Sequence, residues 1–444
     1  MSMTELNKEQ KQLEKEIINL VKKFSKNKFK KEKFIKGKTE VKVTGKVINQ
    51  DEIINMVKSS LDGWLTSGRF NKEFETKLSK KINCKLLMTV NSGSSANLVA
   101  TSALTSQKLK DRALKKGDEF ITVASSFPTT INPAIQYGCI PNFVDIELNT
   151  LNIDINLVEQ AITKNTKAII IAHALGNPFD VKSIQDLCKK YNLWLIEDCC
   201  DALGAKFNDQ HVGTFGDFGT LSFYPAHHIT MGEGGAVFTN NITLKRIAES
   251  FRDWGRDCYC GPGKSNTCNK RYCWKLGDLP YGYDHKYIYS HIGYNLKITD
   301  MQAACGLAQI NKLDKFISKR IKNFDYLNNK FRKLEEYFIL PKSHPSSKPS
   351  WFGYPLTIRE TKIFQRVKLL EHLNNKNIST RLLFAGNIIK QPMMKGVKYN
   401  LKTSQNNTNK VMNDTFWIGL FPGLEKKHLD YIFYEISEFI QKKS

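Results

Sequence analysis

The chain has 444 residues, 41% of them hydrophobic, and a formal net charge of +24, enough for two domains around a sizeable core. No apolar run approaches the roughly 18 residues that span a bilayer, and the start Met-Ser-Met-Thr-Glu-Leu-Asn-Lys lacks the apolar centre of a signal peptide, so no membrane role and a cytoplasmic location are expected. The lysines are dispersed, with no zinc finger, RNA-recognition signature or aromatic-interleaved basic patch, which argues against nucleic acid and suits attraction of a diphosphate-bearing substrate.

In chain order, Leu13, Ile17, Leu20, Val21 and Phe24 recur at helical spacing among lysines and glutamates and predict an amphipathic helix packed on the body or on a partner subunit. Val41 to Val47 reads as extended, and Gly63 to Gly68 precedes a helix carrying Phe70, Phe74 and Leu78. From Lys85 to about Lys312, apolar strands such as Lys167–Ala172 and Leu193–Glu197 alternate with helical stretches, predicting an α/β domain with a mostly parallel sheet flanked by helices. Phe316 to Leu334 reads as a long helix, and Pro341 to Pro349 as a connector. A smaller C-terminal α/β domain is expected beyond it. The division drawn is a helical extension over 1–50, a large domain over 51–315 with an insertion at 257–277, and a small domain over 316–444.

Several short stretches carry chemistry. Asn91-Ser-Gly-Ser-Ser-Ala-Asn97 lies between the strand Leu86–Val90 and an apolar helix; such a turn offers N–H groups and hydroxyls to a phosphate, or simply caps the helix. Asp198 ends an apolar strand, where ligands bind in open α/β sheets, although a helix N-cap is the plain alternative. Ser222-Phe-Tyr-Pro-Ala-His-His-Ile-Thr-Met-Gly-Glu-Gly-Gly235 reads as strand, loop and strand, with polar side chains on the loop. A histidine there can move protons near neutral pH.

The ten cysteines favour metal or redox use over disulfides in a long chain without an export signal. Cys258-Tyr-Cys260 and Cys268 lie in the Gly-, Asn- and Lys-rich insertion, and Cys200 stands two residues after Asp198. By number alone, four thiolates suit zinc or an iron–sulfur cluster equally.

The Ser222–Gly235 stretch resembles the DegT/DnrJ/EryC1/StrS-type sugar aminotransferases, whose pattern reads S-F-x-P-x-K-N-hydrophobic-T-x-G-E-G-G. Their lysine binds pyridoxal phosphate covalently; here His227 stands in its place, and no lysine occurs between Ser222 and Gly235. The resemblance implies a fold-type I pyridoxal-phosphate-dependent transferase architecture. It places Ser94, Ser95 and Ser222 on the cofactor phosphate, Asp198 on the pyridine nitrogen and Phe127 (in Ser126-Phe-Pro-Thr-Thr-Ile-Asn-Pro133) on the ring. Asn295, in Ile292–Gln302, would reach the neighbouring subunit's site, implying a homodimer. Histidine for lysine, together with the cysteines, is similar to the iron–sulfur 3-dehydrase branch. That likeness implies pyridoxamine 5'-phosphate, a [2Fe–2S] cluster on Cys200, Cys258, Cys260 and Cys268 (Cys199 or Cys273 as substitutes), and His227 as base. Tyr224 and Asp201 would line the site, with Asp201 in a tuning role. It further implies a CDP-linked 4-keto-6-deoxyhexose substrate and an NAD(P)H-dependent iron–sulfur/flavin reductase. The rivals are a clusterless GDP-4-keto-6-deoxymannose-type 3-dehydratase, which also carries histidine for lysine, and a non-catalytic binding protein on the same fold.

Overall fold

The computed structural model describes residues 7–30, 32–360 and 362–442. Its strands are β1 (Leu86–Val90), β2 (Glu119–Val123), β3 (Ile140–Val144), β4 (Thr166–Ala172), β5 (Trp194–Asp198), β6 (Lys206–Phe207), β7 (Gln210–His211), β8 (Phe218–Ser222), β9 (Gly235–Thr239), β10 (Phe338–Ile339), β11 (Ser347–Lys348), β12 (Gly353–Ile358), β13 (Asn400–Leu401) and β14 (Thr415–Gly419). Eight of them form one sheet in the order β1-β9-β8-β5-β4-β2-β3-β13. All run parallel except β9, which is antiparallel to both β1 and β8.

The period-two alternation of β4 and β5 explains how the sheet is covered. Ala168, Ile170, Trp194 and Ile196 enter one core, and Ile169, Ile171 and Leu195 enter another. Strands with apolar side chains on both faces need helices on both sides, as the near-continuous apolar runs predict. The smaller antiparallel sheet, β10-β12-β14, has its own core with the helices Leu313–Phe331, Arg366–Asn375 and Lys426–Gln441. The expected large and small α/β bodies are therefore present.

The C-terminal part also returns to the large sheet. β13 pairs parallel with β3, and Ile388 and Met394 enter a core of the large sheet. Asp145, just after β3, accepts the N–H groups of Asn407 and Thr408 at 2.9 Å each and the Thr408 hydroxyl at 2.7 Å. It thereby caps the helix Asn406–Asp414 from the other body.

The N-terminal helix forms over Lys8–Lys28, started by a capping box between Asn7 and Gln10. The helix lies against the helix Gln50–Leu61, yet much of its apolar stripe stays uncovered: Leu20 is 64% and Phe24 65% exposed. The long helix expected at Phe316–Leu334 begins slightly earlier, at Leu313, and tightens into a 3-10 turn over Arg332–Leu334.

Ser222 pairs with Gly235 across β8 and β9, and Val90 pairs with the same glycine across β1 and β9. The Asn91–Asn97 turn and the loop 223–234 therefore start side by side at one sheet edge. A second junction sits at Gly176 (φ +81°), where an added Cβ would meet Ser350 O at 2.0 Å and Asp201 O at 2.7 Å. Gly176→Ala is expected to cost about 2–4 kcal/mol of stability, combining left-handed strain with a backbone clash. Urea unfolding of parent and variant checks this, and unchanged stability would show that Ser350 yields freely.

Candidate active site

The C-terminal ends of β1, β5 and β8 converge on Asp198, the last residue of β5 and only 5% exposed. A carboxylate so placed needs donors. Asn97 Nδ2 donates to Oδ2 at 2.8 Å, the Thr130 hydroxyl to the same oxygen at 2.7 Å, and Cys200 N–H to Oδ1 at 3.0 Å. Thr220 in turn donates to Asn97 Oδ1 at 2.7 Å, which orients the amide. Asn97, Thr130 and Thr220, which hold Asp198 in place directly or through Asn97, are positions that sequence reasoning did not single out, although the first two fall within stretches quoted for other residues.

Beside Asp198 the helix Gly93–Leu104 begins, capped by Ser92. Ser94 Oγ donates to Thr129 Oγ1 at 3.0 Å, and Ser92 Oγ to Ser95 Oγ at 2.9 Å. A Cβ on Gly93 would lie 2.5 Å from Ser222 Cβ and 3.0 Å from Cys200 Sγ, so only glycine allows Ser222 this close to the helix start. Helix N–H groups with three serine hydroxyls make an anion cradle that fits a cofactor phosphate. Phe127 stands half exposed ahead of the helix Pro128–Gln136, which the Ser94–Thr129 bond ties to the cradle.

The loop 223–234 separates its two histidines. His228 is buried, its Nε2 donating to Ser350 O at 2.8 Å, and burial, reinforced by the Arg320 charge, pushes its pKa well down; it is neutral and committed to structure. His227 is partly open. Its Nδ1 lies 3.3 Å from Asp201 Oδ1, without hydrogen-bond geometry. Its ring centroid is 5.2 Å from that of Phe352. Tyr224 is exposed, its carbonyl accepting His227 N–H at 2.9 Å. Asn295 is exposed and accepts a bond from Lys297 Nζ at 2.9 Å, next to Leu296, whose carbonyl holds Asn91 N–H at 2.8 Å.

The cysteines sort by environment. Cys258, Cys260 and Cys268 line one small pocket with Arg271 and His285. Cys200 is not part of that lining; it sits against Gly93 and Asp198. Cys199, expected as a substitute ligand, is buried against Gly213, and burial pushes its thiol well up, whereas Cys273 is exposed. Cys199 also lies near His173 and Glu197 in a group of metal-ligand types. Glu197 is already occupied there by the N–H groups of Gly213, Phe215 and Gly216 at 2.7, 2.9 and 2.6 Å and by His173 Nε2 at 3.1 Å, so that group is structural.

The insertion, expected to lean on a metal clamp, has a polar one that its sequence did not reveal. Asp257 accepts from His285 Nε2 at 2.8 Å and from Lys108 and Ser290 at 2.6 Å each, while Arg271 makes a two-pronged pair with Asp284. A cavity of about 600 Å³ near Lys81, His211 and Ile317 contains none of the expected site residues.

Within the thiol pocket, burial raises Cys258. Burial also acts on Cys260, but the Thr267 hydroxyl at 3.0 Å and the Cys258 thiol outweigh it and lower its pKa. In metal-free protein at pH 7, Cys260 is therefore expected to alkylate ahead of Cys258, and Thr267→Val to slow it, as checked by peptide mass spectrometry. Equal rates for the two thiols would contradict this assignment.

Residues 47–437 match the model of the DegT/DnrJ/EryC1/StrS aminotransferase family. The chain is 56% identical over 427 residues to the lipopolysaccharide biosynthesis protein RfbH of Salmonella typhimurium, covering 96% of this chain and 98% of that one. It is 46% identical over 411 residues to a dTDP-4-dehydro-2,6-dideoxy-D-glucose 3-dehydratase of Saccharopolyspora spinosa, covering 93% and 89%. Among solved structures, the E. coli GDP-4-keto-6-deoxy-D-mannose-3-dehydratase with bound hydrated PLP superposes with a TM-score of 0.80 at 31% identity, over 90% of this chain and 100% of that one. With its single antiparallel strand, buried Asp198 and serine-lined cradle, this chain has the fold-type I architecture and belongs to the DegT/DnrJ/EryC1/StrS aminotransferase family.

Proposed function

We propose that the chain is a pyridoxamine-phosphate-dependent 3-dehydratase of nucleotide-linked 4-keto-deoxyhexoses. The carrying observation is the residue at the family's lysine position: His227, facing Asp201 at 3.3 Å on a loop without a lysine. An imidazole cannot anchor an aldehyde as lysine does, but it can carry a proton. The 3-dehydratases among the relatives and solved structures support the same reading.

When bound, pyridoxamine phosphate supplies an amine for the sugar's ketone and a ring that accepts electron density. The chain's residues do the rest. Ser94, Ser95, Ser222 and the N–H groups at the start of the helix Gly93–Leu104 bind the phosphate. Asp198 holds a proton on the pyridine nitrogen, and its three donors keep its oxygens in place. Phe127 covers the ring. With Nδ1 turned to Asp201, His227 accepts a proton at Nε2, and Asp201 steadies the resulting cation. Tyr224 lines the sugar side, and Asn295 serves the partner's site in a homodimer. The C3 hydroxyl leaves as water.

Two completions differ in how the reaction ends once that water has left. The clusterless one, a GDP-4-keto-6-deoxymannose-type 3-dehydratase, has the support of the superposed structure. A second is favoured by a specific observation, the pocket shared by Cys258, Cys260 and Cys268. In that reading Cys258, Cys260 and Cys268 would hold a [2Fe–2S] cluster, with the fourth ligand, Cys200, lying outside their pocket beside Gly93; the cluster would supply one-electron transfer from an NAD(P)H-dependent iron–sulfur/flavin reductase, and the substrate would be CDP-linked. The relatives' names carry dTDP and GDP rather than CDP.

Replacing His227 by Asn is expected to lower dehydration by about 10²- to 10⁴-fold, the usual worth of a positioned proton carrier, while retaining cofactor; a parental rate would remove His227 from the chemistry. His227→Lys should instead retain pyridoxal phosphate through dialysis and lose dehydration. Anaerobic iron and acid-labile sulfide analysis with EPR after dithionite reduction separates the completions. Two irons and two sulfides with a reduced-cluster signal select the second, and their absence after reconstitution selects the first.

A further inference from the structure

Arg320, on the helix Leu313–Phe331, is only 1% exposed, yet it forms no ion pair among the described residues. Nη1 alone is used, donating to Phe352 O at 2.9 Å and Trp351 O at 3.4 Å, while Nε and Nη2 have no partner. Burial lowers its pKa to about 10, with Asp201 opposing the fall, so the group is charged at neutral pH. A buried cation without a counter-ion is poor material for stability, since an apolar side chain of similar length fills such a space at less cost. What it touches gives the reason for it.

The segment Ser350–Phe352 is a strap across the back of the site. Ser350 N–H donates to Gly176 O at 3.0 Å and Phe352 N–H to Leu175 O at 2.8 Å, while Ser350 O receives His228 Nε2 at 2.8 Å. Arg320 takes the two remaining carbonyls, Trp351 and Phe352. The Phe352 ring then stands between the guanidinium and the imidazole: its centroid is 5.6 Å from the guanidinium carbon and 5.2 Å from the His227 ring. The same guanidinium charge acts, from beyond ion-pair distance, on Asp201, the carboxylate beside His227.

We propose that Arg320 is a positioning residue for the proton transfer: by fixing the Trp351 and Phe352 carbonyls, it seats the Phe352 ring behind His227 and holds the imidazole toward Asp201. This rests on the reading of His227 as the proton carrier. Because a single nitrogen makes both bonds, a lysine ammonium can replace it, whereas methionine keeps the length and loses the bonds and charge.

The test compares Arg320→Met and Arg320→Lys in the full chain loaded with pyridoxamine phosphate, using GDP-4-keto-6-deoxymannose and CDP-4-keto-6-deoxyglucose as probes, with glutamate as amine donor and dithionite as electron donor so that either completion can turn over. Arg320→Met is expected to lower kcat about 10- to 100-fold, the effect of a misplaced catalytic group. KM and cofactor affinity should stay within about twofold, and the Tm at or above the parent's, because the unpaired buried charge is gone. Arg320→Lys should recover most of kcat. In cofactor-free protein labelled with 15N-histidine, the His227 ring resonances should shift in the methionine variant and return toward the parent in the lysine variant. A parental kcat with unmoved His227 resonances overturns the proposal. So does a fall in kcat and Tm together that lysine does not repair, since that marks a packing role. If the parent turns over neither sugar, the proposed function fails instead, and the resonances still decide whether Arg320 sets the place of His227.

Discussion

A carboxylate buried at the end of a central parallel strand is the constraint on which this site depends. Left without donors, Asp198 would cost several kcal/mol, and its three bonds come from three separate places in the chain. Asn97 arrives on the helix after β1, Thr130 on the helix after β2, and Cys200 N–H on the turn after β5. Satisfying one acid thus fixes the relative position of the serine cradle, the Phe127 segment and the strand ends. The pairing of Ser222 and Val90 with the same Gly235 then brings the histidine loop to that edge.

Neighbouring residues here have opposite fates, and environment decides which. His227 and His228 differ in that one is used by the Ser350 carbonyl while the other faces Asp201 at the pocket. Cys199 and Cys200 part in the same way: the first turns into the core near Gly213, the second toward Gly93 and the site. For the histidines, burial commits one ring to structure and leaves the other partly open; for the cysteines, burial pushes both thiols up, and only their neighbours differ.

Much of the fold was legible because its signals are local. β4 and β5 are apolar on both faces, which calls for a helix-covered parallel sheet, and the Ser and Asp motifs mark strand ends directly. The roles assigned to Ser94, Asp198 and His227 came from resemblance to a family, since a serine turn or a histidine alone is ambiguous. What escaped notice depends on contacts distant in sequence. Asp257 meets Lys108 across 149 positions, and Arg320 meets Phe352 from within an ordinary amphipathic helix. Nothing in local spacing marks such pairs. The stripe on Lys8–Lys28 shows the converse, for its periodicity gave the helix correctly but could not say what covers it.

The return of the chain from the small body to the large one bears on how the site is entered. β13 extends the large sheet at β3, and Asp145 caps the helix Asn406–Asp414. Swinging the two bodies apart would strip a strand from the sheet and uncap a helix in one movement, so they are clasped rather than hinged. Entry to the site must therefore proceed with both of these joints kept. Adjustment on entry then falls to exposed side chains such as Tyr224, which can turn while the frame stays intact.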